Sequence, residues 1–187
     1  MIVSVDLAAK FSALCVMKLD GAVVEQAHSW KKTEQEWIDT VVSYFYDPLN
    51  GECPLALVVE DIPHAVGFRK LVKHVCQLQG RIVQAMANVG AEDKVVFVPP
   101  QLWQMHFPGV YRGKAEGALK AAESLGYTPP QLLTPELHGK YRMDARKTMT
   151  DYVDAFLIGR WAVSKFEKYE TLEQLLANEK RVDRYGS

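Results

Sequence analysis

Acidic side chains that directly follow apolar segments are the residues of this chain whose types and spacing could do chemistry. Asp6 ends the apolar segment at the start of the chain, and Glu60 follows the near-continuous apolar run Leu55–Val59. Asp151 and Asp154 are three residues apart, a spacing that places both on one face of a helix. If these segments meet, their carboxylates converge on one point, where they would repel one another unless a cation lay between them.

A converging set of carboxylates is typical of a site for divalent cations. Hydrolysis of a phosphodiester needs an activated water and stabilisation of charge on the leaving oxygen, and two divalent ions about 3.5–4 Å apart supply both. Hard oxygen ligands favour magnesium or manganese. We therefore predict a two-ion site in which Asp6 bridges both ions, Glu60 binds one, and Asp151 or Asp154 binds the other. No Ser-His-Asp arrangement, glycine-rich phosphate loop or HExxH motif competes with this prediction.

Each acid also has an ordinary structural explanation. A single Asp at a strand end often forms a turn or caps a helix, and Asp151 near a helix start is favoured by the helix dipole. Asp61 precedes Ile62 and Pro63 and either serves this turn or contacts a metal ion. Two apolar segments that both lead straight into acids favour the metal site over separate explanations.

The elements that must position these acids follow from hydrophobic periodicity and turn signals. The predicted strands are Met1–Asp6, Ser12–Leu19, Ala22–Ser29, Leu55–Glu60 and Lys94–Val98. A capping box at Thr33 begins the first helix, and further helices are predicted over about 67–88, 113–125, 149–163 and 169–180, with a loop over 127–147. This order predicts an α/β fold, a mixed five-stranded sheet with helices on both faces. Residues 1–166 are assigned to one domain and 167–187 to a helical tail.

Composition excludes several classes of protein. The chain has 187 residues, 48% hydrophobic and 24% charged, which suits one compact domain. No apolar run approaches the roughly 20 residues that span a bilayer, and the first residues do not resemble a signal peptide. Cys15, Cys53 and Cys76 are isolated in the sequence, so we expect free buried thiols rather than disulfides or a zinc site.

The net charge of -1 gives no overall sign of a nucleic-acid binder, but the basic residues are unevenly distributed. The segment Ile62–Ala91 contains no Asp or Glu and carries Arg69, Lys70, Lys73 and Arg81. A second basic stretch lies in 111–147. Such patches either hold phosphates or form solvated helix faces.

The motifs that carry the acids resemble a known family. VSVDLAAK, LVVEDIP and TDYVDAFLIG are similar in order and spacing to the motifs of RuvC-type Holliday-junction resolvases of the ribonuclease-H-like superfamily, most closely to its phage-encoded branch. The resemblance implies a ribonuclease-H-like fold, with Asp6, Glu60, Asp151 and Asp154 as four metal-binding acids. One departure is Leu7-Ala8-Ala9, where the family has a D-P-G sequence.

The resemblance also implies magnesium or manganese dependence and a homodimer in which each subunit nicks one strand of a four-way DNA junction. Phe68, Arg69, Lys70 and Lys73 lie where the family places a DNA-facing helix. Phe68 is expected either to stack on a DNA base or to be an aromatic residue of the core. Lys147, or its neighbour Arg146, is expected either to contact the scissile phosphate or to be solvated. A phage-encoded enzyme would act in the cytoplasm of a bacterial host.

The implied function is therefore a metal-dependent, structure-specific endonuclease that acts on Holliday junctions or other branched DNA. Two alternatives remain at this point. One is a nuclease of the same fold that acts on RNA–DNA hybrids or single strands. The other is a non-catalytic nucleic-acid-binding module, against which the acids argue, because acids repel phosphates when no metal is present.

Overall fold

The structure of the chain is a computed structural model. It describes residues 1–8, 11–29, 32–47, 51–61, 69–110, 115–130, 145–166 and 174. The five strands within these ranges are β1 (Ile2–Asp6), β2 (Ala13–Met17), β3 (Val23–His28), β4 (Ala56–Glu60) and β5 (Val95–Val98). The helices are α1 (Glu34–Tyr46), α2 (Arg69–Asn88), α3 (Pro100–His106), α4 (Ala115–Ser124) and α5 (Ala145–Phe166), with a 3-10 turn at Glu92–Lys94.

The strands form one five-stranded sheet in the order β3-β2-β1-β4-β5. The pairs β1–β2 and β2–β3 are antiparallel, whereas β1–β4 and β4–β5 are parallel, so the predicted mixed sheet is confirmed. The β2–β3 connection turns at Gly21, whose φ of 85° lies in the region that glycine adopts without strain. The Asp20 carboxylate accepts a hydrogen bond from the Ala22 amide at 2.9 Å and closes this turn.

Each face of the sheet is covered by its own set of helices. Alternate residues of β1 and β4 point to opposite faces, as the strand period of two requires. Ile2 and Val58 pack in the apolar cluster that includes α3, α4 and α5, whereas Val3 and Val59 pack in the cluster that includes α1 and α2. The central strands are therefore buried on both faces, which explains their nearly continuous apolar sequences.

Helix α5 lies unusually close to the sheet at β1. The Ser4 hydroxyl donates a hydrogen bond to the Ala155 carbonyl at 2.7 Å, and it lies 3.1 Å from the Cys15 carbonyl. A Cβ atom added at Gly159 would lie 2.8 Å from Ser4 Oγ and 3.2 Å from Met17 Cε. Small residues on α5 thus allow the helix backbone to approach the strand that ends in Asp6.

We expect Gly159→Ala to destabilise the fold, because the added methyl group overpacks this contact. The expected loss is about 1–3 kcal/mol of unfolding free energy relative to Gly80→Ala, measured by urea denaturation. Gly80 is a matched control, since it lies within α2 and an added Cβ there meets nothing within 4 Å. Equal effects of the two substitutions would show that the close approach of α5 has no energetic consequence.

Two helix assignments differ from the sequence prediction. Helix α3 is absent from the sequence prediction, which has no helix between the strand Lys94–Val98 and the helix over about 113–125. Pro100 in fact lies in the first turn of α3, where a proline has no amide that needs an intrahelical partner. Helix α5 begins at Ala145 rather than near residue 149, so Lys147 lies in a helix and not in the predicted loop.

The remaining expectations about the chain are partly met. All three cysteines are free, but Cys53 and Cys76 are exposed, so only Cys15 is the buried thiol that was expected. Cys76 lies on α2 and Cys53 precedes β4, so neither belongs to the apolar run of a strand. The predicted tail helix lies outside the described residues, apart from Gln174. None of the described helices has the length and hydropathy needed to cross a bilayer.

Candidate metal centre

The register of two parallel strands brings the first pair of acids together. β1 and β4 pair from Ile2 opposite Ala56 to Val5 opposite Val59, so the next step of the register sets Asp6 beside Glu60. Strand alternation places both acids on the same face as Ile2 and Val58. That face is the one covered by α5.

Helix α5 supplies the second pair of acids to the same place. Asp151 and Asp154 are spaced by one helical turn, and the backbone of the next residue, Ala155, accepts the hydrogen bond from Ser4 of β1. Asp6 and Asp151 are 7% and 8% exposed, so both are buried. Residues far apart in the sequence therefore come together near the carboxyl ends of β1 and β4.

The acids repel one another strongly enough to shift their pKa values. Burial raises the pKa of Asp6 well above its ordinary value, and the charges of Glu60, Asp154 and Asp151 raise it further. Burial raises the pKa of Asp154 to about 8, and Glu60 and Asp151 contribute to this shift. Each of these shifts disfavours the charged form, so Asp6 and Asp154 both lie within electrostatic reach of Glu60 and Asp151.

Glu60 is held by hydrogen bonds from two different helices. Burial raises the pKa of Glu60, whereas hydrogen bonds from Asp6 and Trp103 partly offset that effect. The Trp103 indole of α3 donates to Glu60 Oε1 at 2.9 Å, and the Gln79 amide of α2 donates to the Glu60 carbonyl at 3.1 Å. The end of β4 and its side chain are thus both fixed in position.

Trp103 has a role that the sequence did not reveal. It is 2% exposed and belongs to the core, but its indole nitrogen also faces a carboxylate. The contact was missed because α3 was not predicted. The sequence signal for it is an indole three residues after a proline that can start a helix.

We expect Trp103→Phe to weaken divalent-cation binding by about 10-fold. In this variant Glu60 loses a hydrogen bond that holds its carboxyl group in position and that also lowers the pKa of this group. The measurement is Mn²⁺ affinity by calorimetry. Trp37→Phe is the matched control, since Trp37 is buried on the opposite face and its indole nitrogen has no hydrogen-bond partner within the described part of the chain. A similar loss of affinity in both variants would mean that the indole–Glu60 bond does not position a ligand.

Asp151 also has a ring-nitrogen neighbour. His28 Nε2 lies 3.3 Å from Asp151 Oδ2, and His28 is 6% exposed. The imidazole packs against the rings of Phe11 and Tyr152, with centroid distances of 5.8 and 5.5 Å. No role for His28 was predicted, because nothing in the sequence near the end of β3 signals a partner on a distant helix.

The donor set fits hard divalent cations. All four candidate ligands are carboxylates, and their mutual repulsion would be relieved by a cation between them. Among the residues that the structure describes, no group of three or more His, Cys, Asp or Glu side chains is arranged so that it could hold a metal ion as it stands. By their chemistry, Asp6, Glu60, Asp151 and Asp154 are the candidates to bind such ions after their side chains adjust.

Asp61 is better explained by the sheet than by a metal. Its amide donates to the Val98 carbonyl at 2.8 Å and so extends the pairing of β4 with β5. Strand alternation directs its side chain to the face opposite Glu60. Its charge nevertheless contributes to the raised pKa of Glu60.

The residues expected to contact DNA are described only in part. Lys73 is exposed on α2, which covers the sheet face opposite α5, so Lys73 does not lie among the carboxylates. Arg69 and Lys70 begin α2, and Lys147 lies in the first turn of α5, but their side chains are outside the described part of the structure. Phe68 also lies outside the described residues.

Solved structures show which fold this is. No protein-family model matches the sequence, and no curated protein matches it. RuvC of Thermus thermophilus in complex with a Holliday junction substrate is similar, with a TM-score of 0.53 and 14% identity over 86% of this chain and 92% of that one. A second Thermus thermophilus RuvC structure matches with a TM-score of 0.51 and 14% identity, over 87% of this chain and 96% of that one. The chain therefore has the fold of RuvC, a mixed five-stranded sheet of the ribonuclease-H-like class with helices on both faces.

Proposed function

We propose that this chain is a metal-dependent endonuclease that cuts branched DNA, four-way junctions in particular. The observation that carries the proposal is the convergence of Asp6, Glu60, Asp151 and Asp154 at one edge of the sheet, where burial raises the pKa values of Asp6, Glu60 and Asp154 and the neighbouring charges raise those of Asp6 and Asp154 further. The fold supports it, since the similar RuvC structure was solved with a Holliday junction substrate.

The chain's own residues prepare the site in three ways. Asp6 lies beside Glu60 on the neighbouring strand and within reach of the charges of Asp151 and Asp154 on α5, so it would share the bound cations with these acids. Trp103 holds the Glu60 carboxylate in place through its indole hydrogen bond. Burial keeps bulk water from Asp6 and Asp151, which strengthens the electrostatic interactions among the acids and any bound cation.

When bound, divalent cations supply positive charge that offsets the charge developing on the phosphate and leaving oxygen. Because Asp6, Glu60 and Asp154 have raised pKa values without a cation, they would release protons on binding one. Cation affinity should therefore rise with pH as Asp6, Glu60 and Asp154 ionise.

The proposal extends to a homodimer and to the basic start of α2. A four-way junction has two equivalent strands to cut, and a two-fold symmetric dimer presents two equivalent sites to them. Arg69, Lys70 and Lys73 would contact phosphates of the bound DNA, and Phe68 would stack on an opened base. Lys147, in the first turn of α5, would contact the scissile phosphate.

The test is a cleavage panel at one salt concentration, because salt alters all such binding. The substrates are a four-way junction, a three-way junction, a flap, an RNA–DNA hybrid, a single strand and a linear duplex. We expect Mg²⁺- or Mn²⁺-dependent cleavage of the four-way junction, an intact linear duplex, and no cleavage with a chelator. An intact junction beside a degraded hybrid would instead assign the chain to hybrid cleavage, and binding without any cleavage would assign it to a non-catalytic module.

A further inference from the structure

His28 stands out among the polar residues of the sheet because it is buried and faces an acid of the candidate centre. It is the last residue of β3, it pairs with Ala13 of β2, and its side chain is 2% exposed. Buried polar groups in folded proteins are nearly always hydrogen-bonded. The acid that His28 contacts, Asp151, belongs to a helix 123 residues further along the chain.

The contact acts from the side of the cluster opposite to Trp103. β3 lies on the β2 side of β1, whereas β4, which carries Glu60, lies on the other side. The Trp103 indole fixes Glu60 from that side, and the His28 imidazole contacts Asp151 Oδ2 from the β3 side. The ring nitrogen of Trp103 thus contacts Glu60 on the β4 side of Asp6, and the ring nitrogen of His28 contacts Asp151 on the β3 side.

We infer that His28 is a positioning residue for cation binding, in that its Nε2–H group orients the Asp151 carboxylate toward Asp6 and Asp154. This inference rests on the proposed function. A carboxylate that binds a cation is ionised and can only accept hydrogen bonds, so Nε2 is the donor. The bond to Oδ2 restrains rotation of the carboxylate and leaves Oδ1 for the cation.

The aromatic rings around His28 support this role. Phe11 and Tyr152 pack against the imidazole with interplanar angles of 34° and 48°. These contacts restrain the orientation of the ring independently of its contact with Asp151. A restrained donor loses little rotational freedom when it holds a carboxylate. Removal of such a donor behind a ligand typically costs about 10–100-fold in metal affinity or activity.

Two substitutions separate hydrogen bonding from packing. His28→Phe keeps an aromatic ring between Phe11 and Tyr152 but has no donor. His28→Gln loses the ring but places an amide N–H near the position of Nε2. The matched control is His106→Phe, since His106 is an exposed histidine whose ring nitrogen lies 3.3 Å from the Ser164 hydroxyl.

The readouts are Mn²⁺ affinity by calorimetry and the kcat and KM for the four-way junction. We expect His28→Phe to lower Mn²⁺ affinity and kcat by about 10–100-fold with KM for the junction unchanged. His28→Gln should retain most of the wild-type affinity, and His106→Phe should match the wild type. Circular dichroism checks folding, and if His28→Phe does not fold, the affinity of His28→Gln alone decides.

Wild-type Mn²⁺ affinity in His28→Phe, or an affinity in His28→Gln that falls as far as expected for His28→Phe, would overturn the inference in favour of a packing role. The result is separable from the proposed function. A wild-type protein that binds Mn²⁺ in a His28-dependent way but cuts no nucleic acid keeps the inference and rejects the nuclease. If His28→Phe cleaves the junction as well as the wild type does, the inference about His28 is rejected and the proposed nuclease function is kept.

Discussion

Asp6→Asn should reduce cleavage of a four-way junction by at least about 1,000-fold while leaving the fold and junction binding nearly intact. The loss corresponds to about 4 kcal/mol of transition-state stabilisation, a reasonable value for removal of a bridging metal ligand. Asp6 is the acid whose pKa responds to all three others, so it lies at the centre of the cluster. Asn has nearly the same shape but carries no charge, so packing at the end of β1 is preserved.

The measurement is single-turnover cleavage of a labelled junction, with binding followed by fluorescence anisotropy at the same salt concentration. Asp39→Asn is the matched control, because Asp39 is exposed on α1 and that helix covers the opposite sheet face. Loss of binding together with cleavage would count against the role assigned to Asp6. Full wild-type activity in the presence of a chelator would count against the whole metal centre.

Asp154→Asn should stabilise the metal-free protein at pH 8 but not at pH 4. The folded pKa of Asp154 is about 8, against an ordinary value of 3.8, so the folded state binds more protons than the unfolded state between these values. Stability therefore falls as the pH rises through this window. Asn cannot ionise, so the variant does not lose this stability. Its free energy of unfolding at pH 8 should exceed that of the wild type by on the order of a few kcal/mol.

The measurement is urea denaturation of wild type and variant at pH 4, 6 and 8 with a chelator present. A stability difference that does not change with pH would contradict the repulsion among these acids. Addition of Mn²⁺ at pH 8 should reverse the order, because a cation at 100 times its dissociation constant stabilises the wild type by about 2.7 kcal/mol. The variant, which lacks one ligand, should gain less.

The sequence was sufficient to predict the strands and the acids at their ends. The apolar runs of β1 and β4 lead directly into Asp6 and Glu60, and the occurrence of two such acids favours a shared site over separate turn or cap roles. The spacing of Asp151 and Asp154 predicts one helix face wherever that helix begins. These signals are local, since each depends only on residues within a few positions of the acid.

The contacts that hold the acids could not be predicted, because they join distant parts of the chain. His28 meets Asp151 across 123 residues, and Ser4 meets Ala155 across 151 residues. No periodicity in either segment encodes which helix packs on which strand. The contact of Trp103 was predictable only in part. A helix starting at Pro100 could be predicted from the sequence, but the hydrogen bond from Trp103 to Glu60 could not.

The central claim is that these distant acids jointly bind divalent ions, and anomalous scattering from crystals containing Mn²⁺ tests it most directly. We expect two anomalous peaks about 3.5–4 Å apart, with Asp6 between them and Glu60 and the acids of α5 on either side. Crystals in which Mn²⁺ is present at saturating concentration but no peak lies within bonding distance of Asp6 would contradict it.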